Sequence, residues 1–429
     1  MSLQACLASR KDCSGKGRPL LMEDILDICK ATHQAAPSNS LFVVLPDGES
    51  YKGGIYTYDE KGLNLLTDEE KTSYCMELYP ELIEKKPIEL KDLIRVGLTW
   101  QYLSLKVESK GFGVSQRARP PKKFNKLINK KLDQDKLLLY SVAVRLQDRG
   151  ALLEGSLEPL KKKLEEGIHL LTTPNCYVNR AIYDNQYKGV PLDEAIFNQV
   201  ELKSSDPTSL HEISQLLWAC QGENDHATHG NRDALEKNGY GRVHASGCAG
   251  YAVYPIVFID ELAELPKGAY FYNPIGFSAL NRWIRIDDKL NYDHLLHIYA
   301  SSNPKNEIER EFGIKYSNYM ILLCVDRKKP CSGFMHSKIG KAFMNPAYWA
   351  EIEAGMALAG LQLQANALGL RWKRLIISNP DDPKYRRMFI LDSAEHSINK
   401  MAEKLVNLPK NEKLSLKGNL VPAVLFCLE

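Results

Sequence analysis

The sequence predicts an α+β fold built from two divergent copies of one domain. The segment Gly-x-Tyr-x-Tyr occurs at 54–58 and again at 268–272. Two glycines that enclose a Leu-x-Leu pair also occur twice, with the same spacing each time. The glycine pairs are Gly97 with Gly111, and Gly355 with Gly369. Two copies in one chain can form by themselves the two-fold arrangement that a homodimer makes from separate subunits.

Length and composition favour two domains of ordinary globular type. The chain has 429 residues, which is more than one hydrophobic core usually organises. Its hydrophobic fraction of 44% and its charged fraction of 25% are those of ordinary globular proteins. We expect the first copy in residues 1–150 and the second copy, with a connector and insertions, in residues 151–429.

Charge and hydropathy argue against nucleic-acid and membrane partners. The formal net charge is +3, so no strong field attracts polyanions. No apolar run approaches the roughly 20 residues of a membrane helix, and residues 1–10 lack the apolar core of a secretion signal. The 10 cysteines include no Cys-x-x-Cys pair, which is typical of reduced cytosolic thiols. We therefore expect a soluble, cytoplasmic protein.

The first copy begins with an amphipathic helix and continues into strands. Apolar residues recur at helical spacing across 21–31. The short apolar runs 41–45 and 54–58 are typical of strands. Residues 93–110 predict a long helix that a glycine ends, and the β-like run 137–144 is expected to close the first sheet.

The second copy repeats this order. Residues 210–220 predict the first helix, and 351–368 predict a long central helix, rich in alanine and glycine, that is again stopped by a glycine. The predicted strands are 254–259, 269–272, 321–325 and the closing strand 421–428. The strand at 321–325 has no obvious counterpart in the first copy.

A basic segment at 110–136 has two interpretations. It could contact an anion or RNA, or it could be a solvated linker face. Phe124 is its one aromatic residue after Phe112, whereas nucleic-acid surfaces usually interleave aromatic and basic side chains. We favour the solvated face.

The order of these features resembles the FMN-dependent nitroreductase family. The resemblance rests on a basic pair, a helix, Ala-Pro-Ser-Asn, a strand, Gly-x-Tyr-x-Tyr and a central helix stopped by Gly-Leu. The second copy looks most like the branch that includes peptide azoline dehydrogenases. The resemblance implies a tandem α+β fold, in which each copy has an antiparallel sheet flanked by helices around a long central helix. It also implies FMN as cofactor and two-electron hydride transfer through flavin N5 to or from a small organic substrate.

The resemblance places a flavin phosphate clamp at the start of the first copy. Arg10 and Lys11 match the two arginines of the opening family signature. Ser14 stands where a later arginine often lies, and Asp12 replaces the expected serine. A guanidinium or ammonium group with nearby backbone donors suits a phosphate.

A second set of predicted flavin contacts comes from a loop and from the first central helix. Pro37, Ser38 and Asn39 match the family loop that lies against the isoalloxazine ring. In the second copy, either Ser246 or Cys248 stands for the family serine, with Gly247 between them. The remaining predicted contact, which matches the glutamine of the family Gln-Asn pair, is Gln101.

Three residues are candidates for proton transfer beside the flavin: His244, Tyr254 and Lys338. The azoline dehydrogenases carry a Lys-Tyr pair, but here Lys338 is followed by Ile339. NAD(P)H is the usual reductant of the family, and the sequence identifies no site for it. We predict no metal site, because a His-x-x-His in the loop at 226–229 has no further ligand at a strong spacing.

The resemblance implies one flavin site at the interface of the two copies. The second copy has residues 195–203 in place of the opening signature, and they include no arginine. We therefore expect one FMN per chain, a small-molecule substrate, a pseudo-dimer within the chain and scope for further homodimerisation. Two alternatives remain open: a flavin-free binding or scaffold protein of the same fold, and a peptide azoline dehydrogenase.

Overall fold

The computed structural model contains two six-stranded antiparallel sheets packed around two long helices. It describes residues 1–9, 19–37, 41–79, 82–84, 88–117, 122–132, 136–138, 141–146, 190–200, 202, 209–222, 243–244, 251–260, 267–272, 295–299, 305–314, 319–328, 346–404, 416 and 420–428. Residues 147–189 lie outside this set, so the division of the chain near residue 150 stays a prediction.

Helices surround both sheets. They are α1 (Leu3–Ser9), α2 (Met22–Ala35), α3 (Leu90–Ser109), α4 (Lys122–Leu132), α5 (Leu192–Ile196), α6 (Leu210–Gln221), α7 (Lys305–Phe312), α8 (Pro346–Ala367), α9 (Pro383–Met388) and α10 (Leu391–Lys404). The helices predicted from 21–31, 93–110, 210–220 and 351–368 are α2, α3, α6 and α8. Among the helices in the described part of the chain, none is long and apolar enough to cross a membrane.

The strands of the first half are β1 (Leu41–Leu45), β2 (Gly54–Asp59), β3 (Gly62–Thr67), β4 (Met76–Tyr79), β5 (Leu82–Glu84), β6 (Phe112–Arg117), β7 (Lys136–Leu138) and β8 (Ser141–Leu146). Those of the second half are β9 (Val253–Ile259), β10 (Gly268–Tyr272), β11 (Leu295–Tyr299), β12 (Tyr319–Asp326), β13 (Trp372–Ile376) and β14 (Leu420–Leu428). Strands β5 and β7 form a separate antiparallel pair.

The two large sheets have the same strand order. The first runs β3-β2-β1-β4-β8-β6, and the second runs β11-β10-β9-β12-β14-β13. In this order β12 occupies the position that β4 occupies in the first sheet. Strand β4 is therefore the counterpart of the strand predicted at 321–325, which the sequence did not reveal. Glu77 interrupts the apolar pattern of β4, and its buried carboxylate accepts a hydrogen bond from the Thr72 hydroxyl at 2.6 Å.

The last strand of each half does not lie at a sheet edge. The expectation that 137–144 and 421–428 close the sheets is wrong, because β8 and β14 each pair with strands on both sides. The edge strands are β6 and β13, which follow the long helices. Strand β14 is apolar and almost fully buried, whereas β13 carries exposed Lys373 and Arg374, as suits an edge that water reaches.

The two long helices touch backbone to backbone. A Cβ atom on Gly97 of α3 would lie 2.0 Å from the carbonyl oxygen of Ile352 on α8. A Cβ atom on Gly355 would lie 2.1 Å from the carbonyl oxygen of Ile94. Each repeated glycine therefore allows the other helix to approach. The second glycine of each predicted pair also has its predicted role, since Gly111 and Gly369 follow the helices with φ of +76° and +66°.

The N-terminal segments of the two halves pair reciprocally. The amide of Leu3 donates to the carbonyl of Val190 at 2.9 Å, and the amide of Leu192 donates to the carbonyl of Met1 at 3.0 Å. Ser2 and Pro191 form the isolated bridge between these bonds. Such exchange of identical contacts is the pattern of a two-fold interface. It aligns α1 with α5.

A buried cation links the halves beside this bridge. Lys106 of α3 is 2% exposed, and its Nζ lies 3.0 Å from a carboxylate oxygen of Asp27 on α2 and 2.6 Å from one of Asp193 on α5. Asp27 also contacts Lys110 at 2.8 Å. Partial burial raises the pKa of Asp27, but hydrogen bonds from Lys110 and Lys106 outweigh burial and hold it below its usual value.

This network predicts a dependence of stability on pH. Because the pKa of Asp27 is lower in the folded chain, its contribution is present above the unfolded value, about 4, and is lost as pH falls through the folded value. We expect Asp27→Asn to reduce the urea midpoint at pH 7, and the difference from the wild-type protein to shrink steadily as pH falls below 4. A difference that does not shrink as the carboxylate is protonated would contradict the assignment.

Candidate functional site

A buried junction joins the first long helix to the segment before β9. The side-chain Nε2 of Gln101 donates to the carbonyl of Val243 at 2.8 Å. Gln101 is 1% exposed, and the amide of Val243 donates in turn to the carbonyl of Gly222 after α6. This chain of bonds connects α3 of the first half with α6 and β9 of the second half.

His244 lies next to this contact, so the structure brings two of the predicted site residues together. Its side chain is fully buried and meets the ring of Tyr251 edge to face, with centroids 5.9 Å apart. Tyr251 has a φ of +46°, a left-handed conformation that is uncommon for a residue with a large side chain. The segment entering β9 is thus held in a specific turn.

The next residue of this segment bonds to the second long helix. The amide of Ala252 donates to Oε2 of Glu353 at 2.8 Å, and Glu353 is fully buried. The carbonyl of Ala252 accepts from the amide of Asp326 at the end of β12. Both backbone groups of Ala252 are therefore engaged within the protein.

Strand register decides which residues of the two halves correspond along these strands. Ile55 pairs with Val44, and Ala269, at the same place in the repeated Gly-x-Tyr-x-Tyr segment, pairs with Phe258. Counting back from Val44 and Phe258 makes Leu41, where β1 begins, equivalent to Pro255. The match of Ser246 or Cys248 to the family serine falls outside the described residues and stays a prediction.

Tyr254 and Pro37 lie elsewhere. Tyr254 is buried on the face of β9 that turns away from α8, in one core cluster with Phe271, against which it stacks at 5.9 Å. Val253, beside it, belongs to the core on the α8 side. Pro37 is exposed after α2. The structure brings neither residue to the junction of Gln101 and His244.

The remaining predicted contacts fall outside the described residues. They are Arg10, Lys11, Ser14, Ser38, Asn39, Ser246, Gly247, Cys248 and Lys338. Their roles stay predictions. The His-x-x-His loop at 226–229 also lies outside, and within the described residues no group of three or more His, Cys, Asp or Glu side chains is placed to hold a metal.

The reciprocal bridge bears on the predicted phosphate clamp. Leu3 and Leu192 make equivalent bonds, and Gln199 and Val200 lie at the same offset along the sequence from Leu192 as Arg10 and Lys11 do from Leu3. An amide and a valine supply no cation for a phosphate. The halves are therefore unequal at this point.

The two hydrogen-bond donors described at the junction bond to acceptors within the protein, so they stabilise the fold and are not arranged as donors to a flavin. The amide nitrogen of Gln101 and the backbone N–H of Ala252 are both committed to protein acceptors. Flavin donors would have to come from Arg10, Lys11, Ser14 and the loop residues outside the described set.

Sequence comparison did not single out Arg374, which lies on the edge strand β13. Desolvation lowers the pKa of its guanidinium, the like charge of Arg95 adds to this shift, and Tyr102 opposes it. The signal was present in the basic run 371–374, which directly follows the Gly-Leu stop of α8.

Comparisons with known proteins complete the description. No protein-family model matches the sequence, and no curated protein matches it significantly. Among solved structures, the chain is similar to a provisionally named nitroreductase from Anabaena variabilis, with 10% identity and a TM-score of 0.49 over 99% of this chain and 87% of that one. A second provisionally named nitroreductase, from Ralstonia eutropha, has 15% identity and a TM-score of 0.34 over 57% of this chain and 84% of that one.

A third similar structure is the Escherichia coli microcin synthetase McbBCD complex with truncated pro-MccB17 bound. It has 14% identity and a TM-score of 0.29 over 53% of this chain and 66% of that one. These TM-scores lie below 0.5, so the fold described above rests on the strand order and helix contacts of this chain. It is an α+β fold with two antiparallel sheets of identical order around paired central helices.

Proposed function

We propose that the chain is an FMN-dependent oxidoreductase of the nitroreductase type, with two related copies forming a pseudo-dimer and one flavin site between them. The reaction is a two-electron hydride transfer to or from a small organic substrate. When bound, the flavin supplies the hydride chemistry at N5. NAD(P)H is the proposed reductant, and the proposed compartment is the cytoplasm.

One observation carries this proposal. Two sheets of identical order meet through their central helices and exchange reciprocal bonds at their N-terminal segments, as two subunits of a symmetric dimer would. The family that the sequence resembles builds its flavin sites between two subunits. The reciprocal bonds within this chain support such an arrangement, and Gln101 of one half contacts Val243, which precedes the predicted loop of the other half in the sequence.

The residues of the chain have distinct proposed tasks. Arg10, Lys11 and Ser14 hold the flavin phosphate, and the loop from Ser246 to Cys248 lies against the flavin ring. Gln101 positions that loop through Val243. His244, which the junction buries, is the proposed proton donor nearest to the loop.

The inequality of the halves supports one flavin rather than two. At the same sequence offset from the reciprocal bridge as Arg10 and Lys11, the second half has Gln199 and Val200, which would supply no cation to a second clamp. Removing the phosphate contacts of one clamp should therefore empty the protein of flavin. We expect Arg10→Ala with Lys11→Ala to weaken FMN binding at least about a hundredfold, since each charge-assisted hydrogen bond contributes about 1.5–3 kcal/mol.

The measurement is the visible spectrum of the purified protein, followed by release and quantification of the chromophore. Lys61→Ala with Lys328→Ala removes the same charge from two exposed positions and should leave flavin content unchanged. One FMN per chain, lost only in the first double variant, would support the proposal. A colourless protein that fails to take up added FMN would overturn it.

A flavin-free binding protein of the same fold is the second candidate, and a specific observation favours it. The donors described at the junction are already engaged, and Gly360 places α8 against the carbonyl of Ala219, where an added Cβ would lie 1.9 Å from the oxygen. Under this candidate, the Arg10 and Lys11 variants would leave every binding property intact. A peptide azoline dehydrogenase is the weaker alternative, and a test with a peptide substrate decides it.

A further inference from the structure

Helix α4 covers the outer face of the first sheet. Its Ile128 is fully buried in one cluster with Phe42, Val44, Ile55 and Tyr79. Side chains alternate along a strand, and the intervening residues of β1 face the core that contains the long helices. Helix α4 therefore lies on the side of this sheet opposite to the junction of the two halves.

The solvent side of α4 carries lysines. We call Lys126, Lys130 and Lys131, whose side chains are exposed, the lysine surface. Lys131 contacts Glu69 at 2.8 Å. A hydrogen bond from Lys131 holds the pKa of Glu69 below its usual value, and the charge of Lys130 adds to this effect. In the part of the chain that the structure describes, Glu69 is the one carboxylate at salt-bridge distance from these three ammonium groups.

Positive charge is concentrated in this part of the chain. Residues 110–136 contain nine Lys or Arg residues and two Asp residues, which gives a net charge of +7. The rest of the chain has 47 basic and 51 acidic residues, which gives −4. The small total of +3 therefore conceals a strongly basic segment on a slightly acidic protein.

Packing of the helix does not require this charge. Helix α4 contains five lysines and no acidic residue, although acidic residues in the first turn would suit the helix dipole. Lys126 and Lys130 are four residues apart, and like charges at this spacing disfavour a helix. On the outer face of the second sheet, by contrast, Lys384 of α9 contacts Glu311 of α7 at 2.6 Å. An anionic partner would convert the repulsion within α4 into attraction.

A short acidic protein segment fits this surface better than an extended polyanion does. The 11-residue helix is about 16 Å long, which matches about five residues of an extended chain. A nucleic acid or a membrane surface is larger and would also meet the acidic remainder of the protein. Nucleic-acid sites usually combine arginine with aromatic side chains, and the lysine surface has neither. Leu127 and Ile128 pack towards the sheet, so they are not available to enter a bilayer.

We propose that the lysine surface of α4 docks an acidic segment of a partner protein, in which several Asp or Glu residues follow one another closely. The attraction between exposed charges acts at a distance, speeds association and weakens with salt. The surface lies on the outer side of the first sheet, away from Gln101 and Val243. This inference goes beyond the proposed function and holds whether or not flavin binds.

The test is fluorescence anisotropy of a labelled hexaglutamate peptide, titrated with the full chain at low ionic strength. We expect saturable binding that Lys126→Gln with Lys130→Gln weakens about fivefold or more, and that about 0.3 M salt largely abolishes. Lys328→Gln with Lys373→Gln is the matched control, because it removes the same charge from two exposed positions in the second half. The control should keep the affinity of the wild-type protein.

Two results would overturn the proposal: no saturable binding of the peptide by the wild-type protein, or equal weakening in both double variants. The unfolding temperature without peptide checks folding. We expect Lys126→Gln with Lys130→Gln to preserve or raise it, because a repulsive pair is removed from the helix.

A second variant should strengthen binding. Glu69→Gln removes the carboxylate that competes for Lys130 and Lys131, so we expect it to tighten the peptide complex about twofold or more. Glu194→Gln, at an exposed position of the second half, removes the same charge and should change the affinity much less. Equal effects of the two variants would mean that only the net charge matters, which would contradict docking on α4.

Two other anions decide the class of partner. They are a single-stranded oligothymidylate with the same number of charges and vesicles of phosphatidylcholine with phosphatidylserine. We expect the hexaglutamate peptide to bind more tightly than either. Tighter binding of the oligonucleotide or of the vesicles, lost in Lys126→Gln with Lys130→Gln, would replace the acidic segment by that class of partner and overturn the proposal.

Discussion

Replacing Gly97 by alanine is expected to lower the free energy of unfolding by about 3 kcal/mol or more, the upper end of what overpacking usually causes. The new methyl group would lie 2.0 Å from the carbonyl oxygen of Ile352. That oxygen belongs to helix backbone and cannot move as a side-chain tip would. The two long helices would have to separate, and both sheets pack against them.

The opposite glycine makes the prediction sharper. Gly355→Ala should destabilise by a similar amount, since its Cβ would lie 2.1 Å from the carbonyl oxygen of Ile94. The double variant should lose less than the sum, because helices that have separated for one methyl group accommodate the second. Urea unfolding measures all three.

Gly62→Ala serves as the control for these variants. Gly62 has a φ of +104° and open space around its Cβ position, so this variant tests backbone strain without crowding and should lose about 1 kcal/mol. If Gly97→Ala is no more destabilising than Gly62→Ala, the close helix contact is not the reason for the glycine.

The buried cation between the halves gives the second large effect, and it depends on which partner is removed. Asp27→Asn with Asp193→Asn should destabilise by about 3–5 kcal/mol, because Lys106 would remain buried without a counter-charge. Lys106→Met should have a much smaller effect. The two carboxylates are 37% and 55% exposed, so water can solvate them once the ammonium is gone.

The comparison is made by urea unfolding at pH 7. Asp68→Asn is the control, since Asp68 pairs with Lys52 on the surface and such pairs contribute about 1 kcal/mol or less. The equivalent place in the second half holds the neutral contact of Gln364 with Gln215 at 3.0 Å, which shows that the fold accommodates an uncharged pair there. Equal effects of the lysine and aspartate variants would contradict the burial argument.

Much of the fold could be predicted from local pattern. Residues 41–45 form the strand that their apolar run indicates, and Gly111 and Gly369 end their helices with the positive φ that glycine permits. These features depend on neighbours in the sequence. The repeated spacing also singled out Gly97 and Gly355. It did not reveal why both halves have a glycine there, which is that each glycine lies against the backbone of the other long helix.

The candidate site was less predictable because its contacts join distant parts of the chain. Gln101 was selected by resemblance, but its partner is the backbone of Val243. Tyr254 was selected as a possible acid, yet strand alternation turns it into the outer core with Phe271.

The sequence by itself determined the long helices and most strands and predicted the two-copy plan, since these follow from periodicity and from glycine stops that act over a few residues. Only the tertiary structure decided that β8 and β14 lie inside their sheets, that β12 takes the place of β4, and that Gln101 bonds to the backbone of Val243. The physical reason is that strand order, register and contacts between halves depend on which apolar faces pack together, and a linear pattern does not contain that choice.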